Sequence, residues 1–234
     1  MRKVYFCPVC GGGDFLFREV LWPELVSDWQ LAPLEVDYIN RQQGFFCSGC
    51  SNNLRSMALA NAILSAYNFC GTLVQFVESD FAKTLKVLEI NEAGGLTSVL
   101  NRLPQHQLVG YPEYDITNLS FERAIFDLVI HSDTLEHVPN PIAGLSECRR
   151  VLVKTGRCIF TVPIVVGRLS RSRAGLKNSY HGTSAKVDND CTVYTEFGAD
   201  MWRFVIEAGF TSARIHSFEY PAALAIEATI QNER

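Results

Sequence analysis

An α/β fold built on a mostly parallel sheet is the class this sequence predicts, and three observations predict it. Residues 126–163, FDLVIHSDTLEHVPNPIAGLSECRRVLVKTGRCIFTVP, read strand, loop, helix, turn, strand. A unit of that kind joins two parallel strands by a right-handed crossover. Ahead of it, Lys86–Ile90 (KVLEI) is a second short apolar run with the length of a central strand. A pair of CxxC knuckles, Cys7/Cys10 and Cys47/Cys50, sets a small N-terminal module apart from the sheet.

Bulk composition agrees. The chain has 234 residues, 47% hydrophobic and 20% charged, which suits a globular protein with a sizeable core. A net charge of −4 argues against a surface coated in nucleic acid or anionic lipid. Met1-Arg2-Lys3 leads into Val4-Tyr5-Phe6-Cys7 with no long apolar core, and no apolar run reaches membrane length. The expected compartment is the cytoplasm, where eight cysteines are thiols or metal ligands rather than disulfides.

Each CxxC knuckle presents two thiolates on one side of a tight turn. Together Cys7, Cys10, Cys47 and Cys50 make the closed four-thiolate set of structural zinc, with no position open for catalysis. A redox dithiol expects one pair at a helix start, not two matched knuckles. Of the 36 residues between Cys10 and Cys47, the stretch Phe15 to Gln43 carries Trp22, Trp29 and Tyr38 and is expected to pack on its own. Cys70, Cys148, Cys158 and Cys191 read as small buried residues.

Further elements follow in order. Ser51-Asn52-Asn53 offers an N-cap, and Leu54, Ala58, Leu59, Ala62, Ile63 and Ala66 recur at helical spacing. That helix is expected to join the module to the main domain and cover one edge of its sheet. Residues 72–82 admit helix or loop. Leu96–Leu103 reads as a short helix closed by Pro104, and Gln107–Tyr111 as the next strand. Phe126–Ile130 is too brief for a helix. The polar run His131–His137 lies at a strand's carboxyl end, where ligands sit in open parallel sheets. Pro139 and Pro141 open a helix with Ile142, Leu145, Cys148, Val151 and Leu152 on one face. Lys154-Thr155-Gly156 is expected to end it with a left-handed glycine cap. Arg168, Arg171, Arg173 and Lys177 mark a basic loop, either a solvated lid or a holder for phosphate or carboxylate. Glu196–Gly209 reads as a helix, Phe210–Tyr220 and Leu224–Ile230 as two final strands.

FDLVIHSDTLEHVPNP followed by RRVLVKTGRCIFTVP closely resembles the second half of class I S-adenosylmethionine-dependent methyltransferases. There a strand FDLV leads to a loop ending LEHV, a helix, a RVLKPGG turn and a strand ending VP. The resemblance covers residues 85–230. It implies a Rossmann-like, mostly parallel sheet with helices on both faces and an antiparallel last strand, and S-adenosylmethionine as cofactor. The family's ExGxGxG turn corresponds to Glu89, Ile90, Asn91, Glu92, Ala93, Gly94 and Gly95. Asn91 and Ala93 stand where the family has glycine, and Gly95 matches. The resemblance assigns Glu113 to the ribose hydroxyls and Asp115, with Ile116 beside it, to the adenine. The helix and strand that usually intervene after Tyr111 look shortened. His131, Ser132, Asp133 and Leu135 are placed against the methionine and sulfonium. His137 and His181 are the candidate bases, with Asp133 behind them.

The expected organisation is a zinc-ribbon-like module (1–53), a linking helix and connector (54–84) and a methyltransferase domain (85–234). The expected activity is methyl transfer to a small molecule, a sugar or a cell-surface polysaccharide precursor. An RNA-directed enzyme needs a basic stripe that residues 1–53 lack, since their arginines are matched by acids. A fold that binds without turnover is favoured by the substituted glycines and opposed by the intact His131–Pro139 loop. A nicotinamide site is opposed by the absence of GxGxxG after the first strand.

Overall fold

One six-stranded sheet, apolar on both faces, organises the computed structural model, which describes residues 6–180 and 191–230. The candidate base His181 lies outside those residues. In the N-terminal part β1 (Phe15–Phe17) pairs antiparallel with β2 (Phe45–Cys47), and between them run α1 (Pro23–Asp28) and α2 (Pro33–Gly44). Proline opens both helices, at positions whose amides have no helical partner. α3 (Leu54–Ala66) starts on Asn53, whose side-chain oxygen accepts from the Ser56 amide at 2.9 Å. Residues 72–82 are helix in their first part and turn after it: α4 (Leu73–Glu78) has its capping box in Thr72 and Gln75 and ends at Ser79.

The main sheet and its helices follow: β3 (Val87–Ile90), α5 (Thr97–Leu100), β4 (His106–Val109), β5 (Phe126–Ser132), α6 (Pro141–Val151) and β6 (Leu152–Thr161). After a small sheet of β7 (Ile164–Val165), β8 (Arg171–Ser172) and β9 (Thr195–Gly198) come α7 (Trp202–Glu207), β10 (Ser212–Glu219) and β11 (Ala223–Thr229). Spatial order is β10-β11-β6-β5-β3-β4. β4, β3, β5 and β6 are parallel, and β11 lies antiparallel between β6 and β10. Residues 110–125 run as turns, so no strand separates β4 from β5 in the chain.

α6 and α7 cover one face, where Leu145, Cys148 and Val205 meet Leu88, Val129, Phe160 and Ile226. α3 and α4 cover the other, where Leu59 and Ile63 meet Leu128, Ile130, Ile159 and Ala225. Each wholly buried leucine or isoleucine of this kind contributes about 1.5–3 kcal/mol. α3 therefore lies across a face and does not cover an edge. It is buried almost all round, because α2 and the cysteine knuckles cover the side turned away from the sheet.

Three other expectations are corrected. α6 passes into β6 through Leu152, whose extended backbone (φ −75°, ψ 140°) ends the helix, so Gly156 is a strand residue and no cap. Residues 195–198 are β9, because Thr195 and Glu196 pair with Ser172 and Arg171, and only Trp202–Glu207 is helical. The segment carrying the tryptophans does not pack on its own. Trp29 Nε1 donates to Ser179 Oγ at 2.7 Å, and Tyr38 Oη accepts from the Val166 amide at 3.1 Å.

The basic loop is bound to that same segment. Arg168 is held by Glu35 and by the carbonyls of Trp29 and Gln30, Lys177 by Asp28 at 3.2 Å, and Arg171 and Arg173 both by Glu196. It is a strap whose charges are met inside the protein. No helix among the described residues is long and apolar enough to cross a membrane.

Where β1 exits beside the end of α2, the Arg18 amide donates to the Gly44 carbonyl at 3.0 Å, and a Cβ on Gly44 would overlap the Arg18 carbonyl. Gly44→Ala is expected to lower unfolding stability by about 2 kcal/mol or more, against less than about 0.5 kcal/mol for Gly167→Ala. An added Cβ at Gly167 meets nothing nearer than 3.6 Å. Urea denaturation of both variants checks this.

Candidate active site

The parallel strands bring their carboxyl ends to one edge, and the residues singled out in the sequence fall at different depths along it. Asn91, just past β3, takes a left-handed backbone (φ 56°) and bridges three strand ends. Its amide nitrogen donates to Val109 O at 2.7 Å, its side-chain oxygen accepts from Tyr111 N, and its Nδ2 donates to Thr134 Oγ1 at 3.3 Å. Ile90 is buried beneath it.

Glu89 is wholly buried and points into the protein. It accepts from Ala93 N at 2.7 Å and from Thr97 Oγ1, and its other oxygen meets His106 Nε2 at 2.7 Å. With both oxygens engaged, Glu89 fixes the shape of the turn after β3. Gly95 allows a close approach there: an added Cβ would lie 2.5 Å from Asn52 Oδ1 in the second cysteine knuckle. Glu113 and Asp115 are exposed on the turns after β4, and Asp115 Oδ1 accepts from the Thr117 amide at 2.8 Å. Ile116 and Leu135 are buried together against Gly144 of α6.

His131 has no exposure. Its ring stacks on Phe160 with centroids 4.7 Å apart, and neither nitrogen has a hydrogen-bond partner. It belongs to the core under α6, beside Cys148 and Cys158. Burial pulls its pKa down to about 3. Ser132 Oγ is 2.8 Å from Thr161 Oγ1, tying β5 to β6.

Asp133 and His137 stand at the rim of the strand ends. Asp133 has φ 47° and forms an ion pair with Arg55, in the first turn of α3, while Gln43 Nε2 lies 3.4 Å from Asp133 Oδ2. Arg55 is 12% exposed, and burial lowers its pKa to about 10 even with Glu136 nearby. Glu136 is 1% exposed, and desolvation raises it to about 7 against the pull of Arg55. His137 Nδ1 donates to the Thr192 carbonyl at 3.0 Å, since a carbonyl only accepts. Burial lowers the His137 pKa below the ordinary 6.5, so the ring is neutral at pH 7.

Asp133, His137, Arg55, Gln43 and Asn53 line a cavity of about 460 Å³, closed on its far side by Trp22, Leu25, Trp29 and Leu31 of the N-terminal segment. Arg55 and the aromatic wall were not among the sequence candidates. The signal for Arg55 was one cation in the first turn of an otherwise apolar helix. The wall carried only the mark of tryptophans between two knuckles. At the other end of the segment, the Sγ atoms of Cys7, Cys10, Cys47 and Cys50 all lie within 4.8 Å of one another. Cys7–Cys50 and Cys10–Cys47 are each 3.6 Å apart, and Gly12 N and Asn52 Nδ2 donate to Cys10 and Cys50 at 3.4 Å.

Residues 70–160 match the family described as methyltransferase domain. That matched stretch is under half of the chain. No curated protein matches the sequence. Among solved structures, an O-methyltransferase candidate of Nostoc punctiforme PCC 73102 is similar at 15% identity and a TM-score of 0.42, over 75% of this chain and 59% of that one. The match thus spans under two thirds of that relative's length. A SAM-dependent methyltransferase of Thermotoga maritima is similar at 12% identity and TM-score 0.39, over 76% of this chain and 98% of that one. The CurJ carbon methyltransferase gives 15% identity and TM-score 0.44, over 89% and 70%.

His131 makes stability depend on pH. Its folded-state pKa lies below the unfolded value of 6.5, so the unfolded chain binds the extra proton first as pH falls. Stability is then lost from about pH 6.5 downward, by about 1.4 kcal/mol per pH unit for this group. His131→Leu is expected to flatten the loss between about pH 6 and pH 4, read by urea denaturation at stepped pH.

Proposed function

We propose that this chain transfers the methyl group of S-adenosylmethionine to a small-molecule acceptor bound in the 460 Å³ cavity. The observation that carries the reading is that this cavity opens at the carboxyl ends of β5 and β6, with Asp133 and His137 on its wall. Its enclosed apolar side suits a small molecule, or the small part of a sugar or polysaccharide precursor, better than a nucleic acid.

Glu113 and Asp115, exposed on the same edge as Asn91, suit the ribose hydroxyls and the adenine amino group. Ser132, Asp133 and the backbone of the Asn91–Gly95 turn suit the methionine end. Glu89, saturated by its own turn, acts as an organiser. Bound there, the cofactor supplies a methyl group on a sulfonium that is already a good leaving group. The protein's part is to hold the acceptor atom in line and to take its proton. His137 is neutral and its ring is held against the Thr192 carbonyl, which suits a base for an acceptor hydroxyl or amine. Asp133, held by Arg55, positions that acceptor.

The four cysteines are read as a structural zinc site, for tetrahedral Zn–S bonds of about 2.3 Å place sulfurs about 3.8 Å apart. The observed pairs at 3.6 Å fit that set. Metal analysis is expected to find one zinc per chain, lost in Cys7→Ser/Cys50→Ser together with the cooperative unfolding of the N-terminal segment.

Calorimetric titration with S-adenosylhomocysteine tests the cofactor site. Micromolar binding is expected, about −8 kcal/mol, weakened at least about tenfold by Glu113→Ala. No binding at millimolar ligand would leave the binding-only reading that Asn91 and Ala93 favour. His137→Ala is expected to keep that affinity while lowering turnover about 10²–10⁴-fold in an acceptor screen. Because the His137 pKa is depressed, wild-type rate should be level above pH 6.5 and fall only at lower pH, as the ring takes up its proton.

A further inference from the structure

Two guanidinium groups line the cavity, and only one of them is satisfied by a carboxylate. Arg55 is paired with Asp133. Arg18, exposed at the rim, has no carboxylate partner among the described residues and rests over the Phe46 ring at 5.6 Å. Its surroundings sharpen the contrast, since Arg41, Arg168, Arg171, Arg173 and Lys177 each meet an acid. Arg18 is also held in place by its backbone. Its amide bonds Gly44 O at 3.0 Å, and just beyond it the Val20 and Leu21 amides both donate to buried Asn40 Oδ1 at 2.9 Å. The rim segment is fixed, and the exposed side chain, resting on Phe46, offers a planar five-donor fork with no carboxylate partner among the described residues beside an apolar chamber.

We propose that the cavity selects a ligand with an apolar body and an oxyanion (carboxylate, sulfonate or phosphate), and that Arg18 is the specificity-determining residue that takes this anion. The inference rests on reading the cavity as the acceptor site, and it narrows the acceptor to an amphipathic anion. The apolar body lies against Trp22, Leu25 and Leu31. The anion stays at the wet rim, where Arg18 binds it in the bidentate geometry a guanidinium offers. Its proton-bearing nucleophile reaches Asp133 and His137. Placement at the rim suits the energetics, because the anion keeps part of its hydration and the cavity need not bury an isolated charge.

Two fluorescent dyes with one ring system test this without any assumption about turnover. Anilinonaphthalene sulfonate carries the anion, and phenylnaphthylamine lacks it. Wild-type protein is expected to bind the sulfonate at least about tenfold more tightly. Arg18→Gln should erase that preference and leave phenylnaphthylamine affinity within twofold. Arg18→Lys, which keeps the charge and loses the fork, should fall between. Trp22→Ala should weaken both dyes together, placing them in the cavity, while each variant keeps wild-type zinc content and thermal midpoint. Naphthoate and naphthyl phosphate should displace the sulfonate dye, and their order assigns the preferred anion. Equal affinity for both dyes, an Arg18→Gln variant that retains the preference, or no binding of either dye overturns the proposal. S-adenosylhomocysteine titration of the same samples separates that failure from failure of the methyl-transfer reading, since the cofactor site lies apart from Arg18.

Discussion

The structure depends on the ion pair between Arg55 and Asp133. Arg55 projects from the first turn of α3, the helix that follows the cysteine knuckles, and Asp133 sits in a left-handed turn where β5 ends. Neither charge suits a largely desolvated place alone, and an unpaired one would cost several kcal/mol. Their pairing fixes the N-terminal segment against the strand ends. The same first turn brings Asn52 onto Gly95, Ser56 near Gly94 and Asn53 onto Gln43. One helix start thus sets the turn after β3, the loop after β5 and one wall of the cavity.

Most of the fold was legible in the sequence because the sheet is built from short, uniformly apolar strands separated by strong turn signals. KVLEI and FDLVI could form little else, and Pro139 and Pro141 announce α6, which starts at Pro141. What was not legible depended on tertiary partners. Glu196 and Phe197 have helical spacing to Met201, yet Ser172 and Arg171 recruit residues 195–198 as a strand. A glycine after a helix suggests a cap, but Leu152 already turns the chain extended and Gly156 is left for β6.

The site was legible in its chemistry and not in its depth. Sequence order put His131, Ser132 and Asp133 side by side, but β5 carries His131 into the core under α6, while Asp133, just past the end of the strand in a left-handed turn, is left at the cavity. Glu89 looked like a ligand-facing acid, yet His106, Thr97 and the Ala93 amide use both of its oxygens. Charge misled in the same way at residues 168–177. Four cations in one loop read as a solvated lid or an anion holder, whereas Asp28, Glu35 and Glu196, distant in sequence, hold all four.

The cavity wall built by Trp22, Leu25, Trp29 and Leu31 lies wholly outside residues 70–160, the stretch that matches the methyltransferase domain. Its backbone is anchored elsewhere, at the cysteine knuckles, at Asn40 and through Glu35 to the strap. Leu25 and Trp29 are buried against Val165 and Val193, so Trp22 and Leu31, at the margin of that cluster, are the side chains freest to vary without disturbing the six-stranded sheet or the turn after β3. Mutational drift at these positions would remodel the chamber while the strand ends are inherited intact. A lineage of such proteins should diverge fastest in its first forty residues, with the cysteines as fixed points.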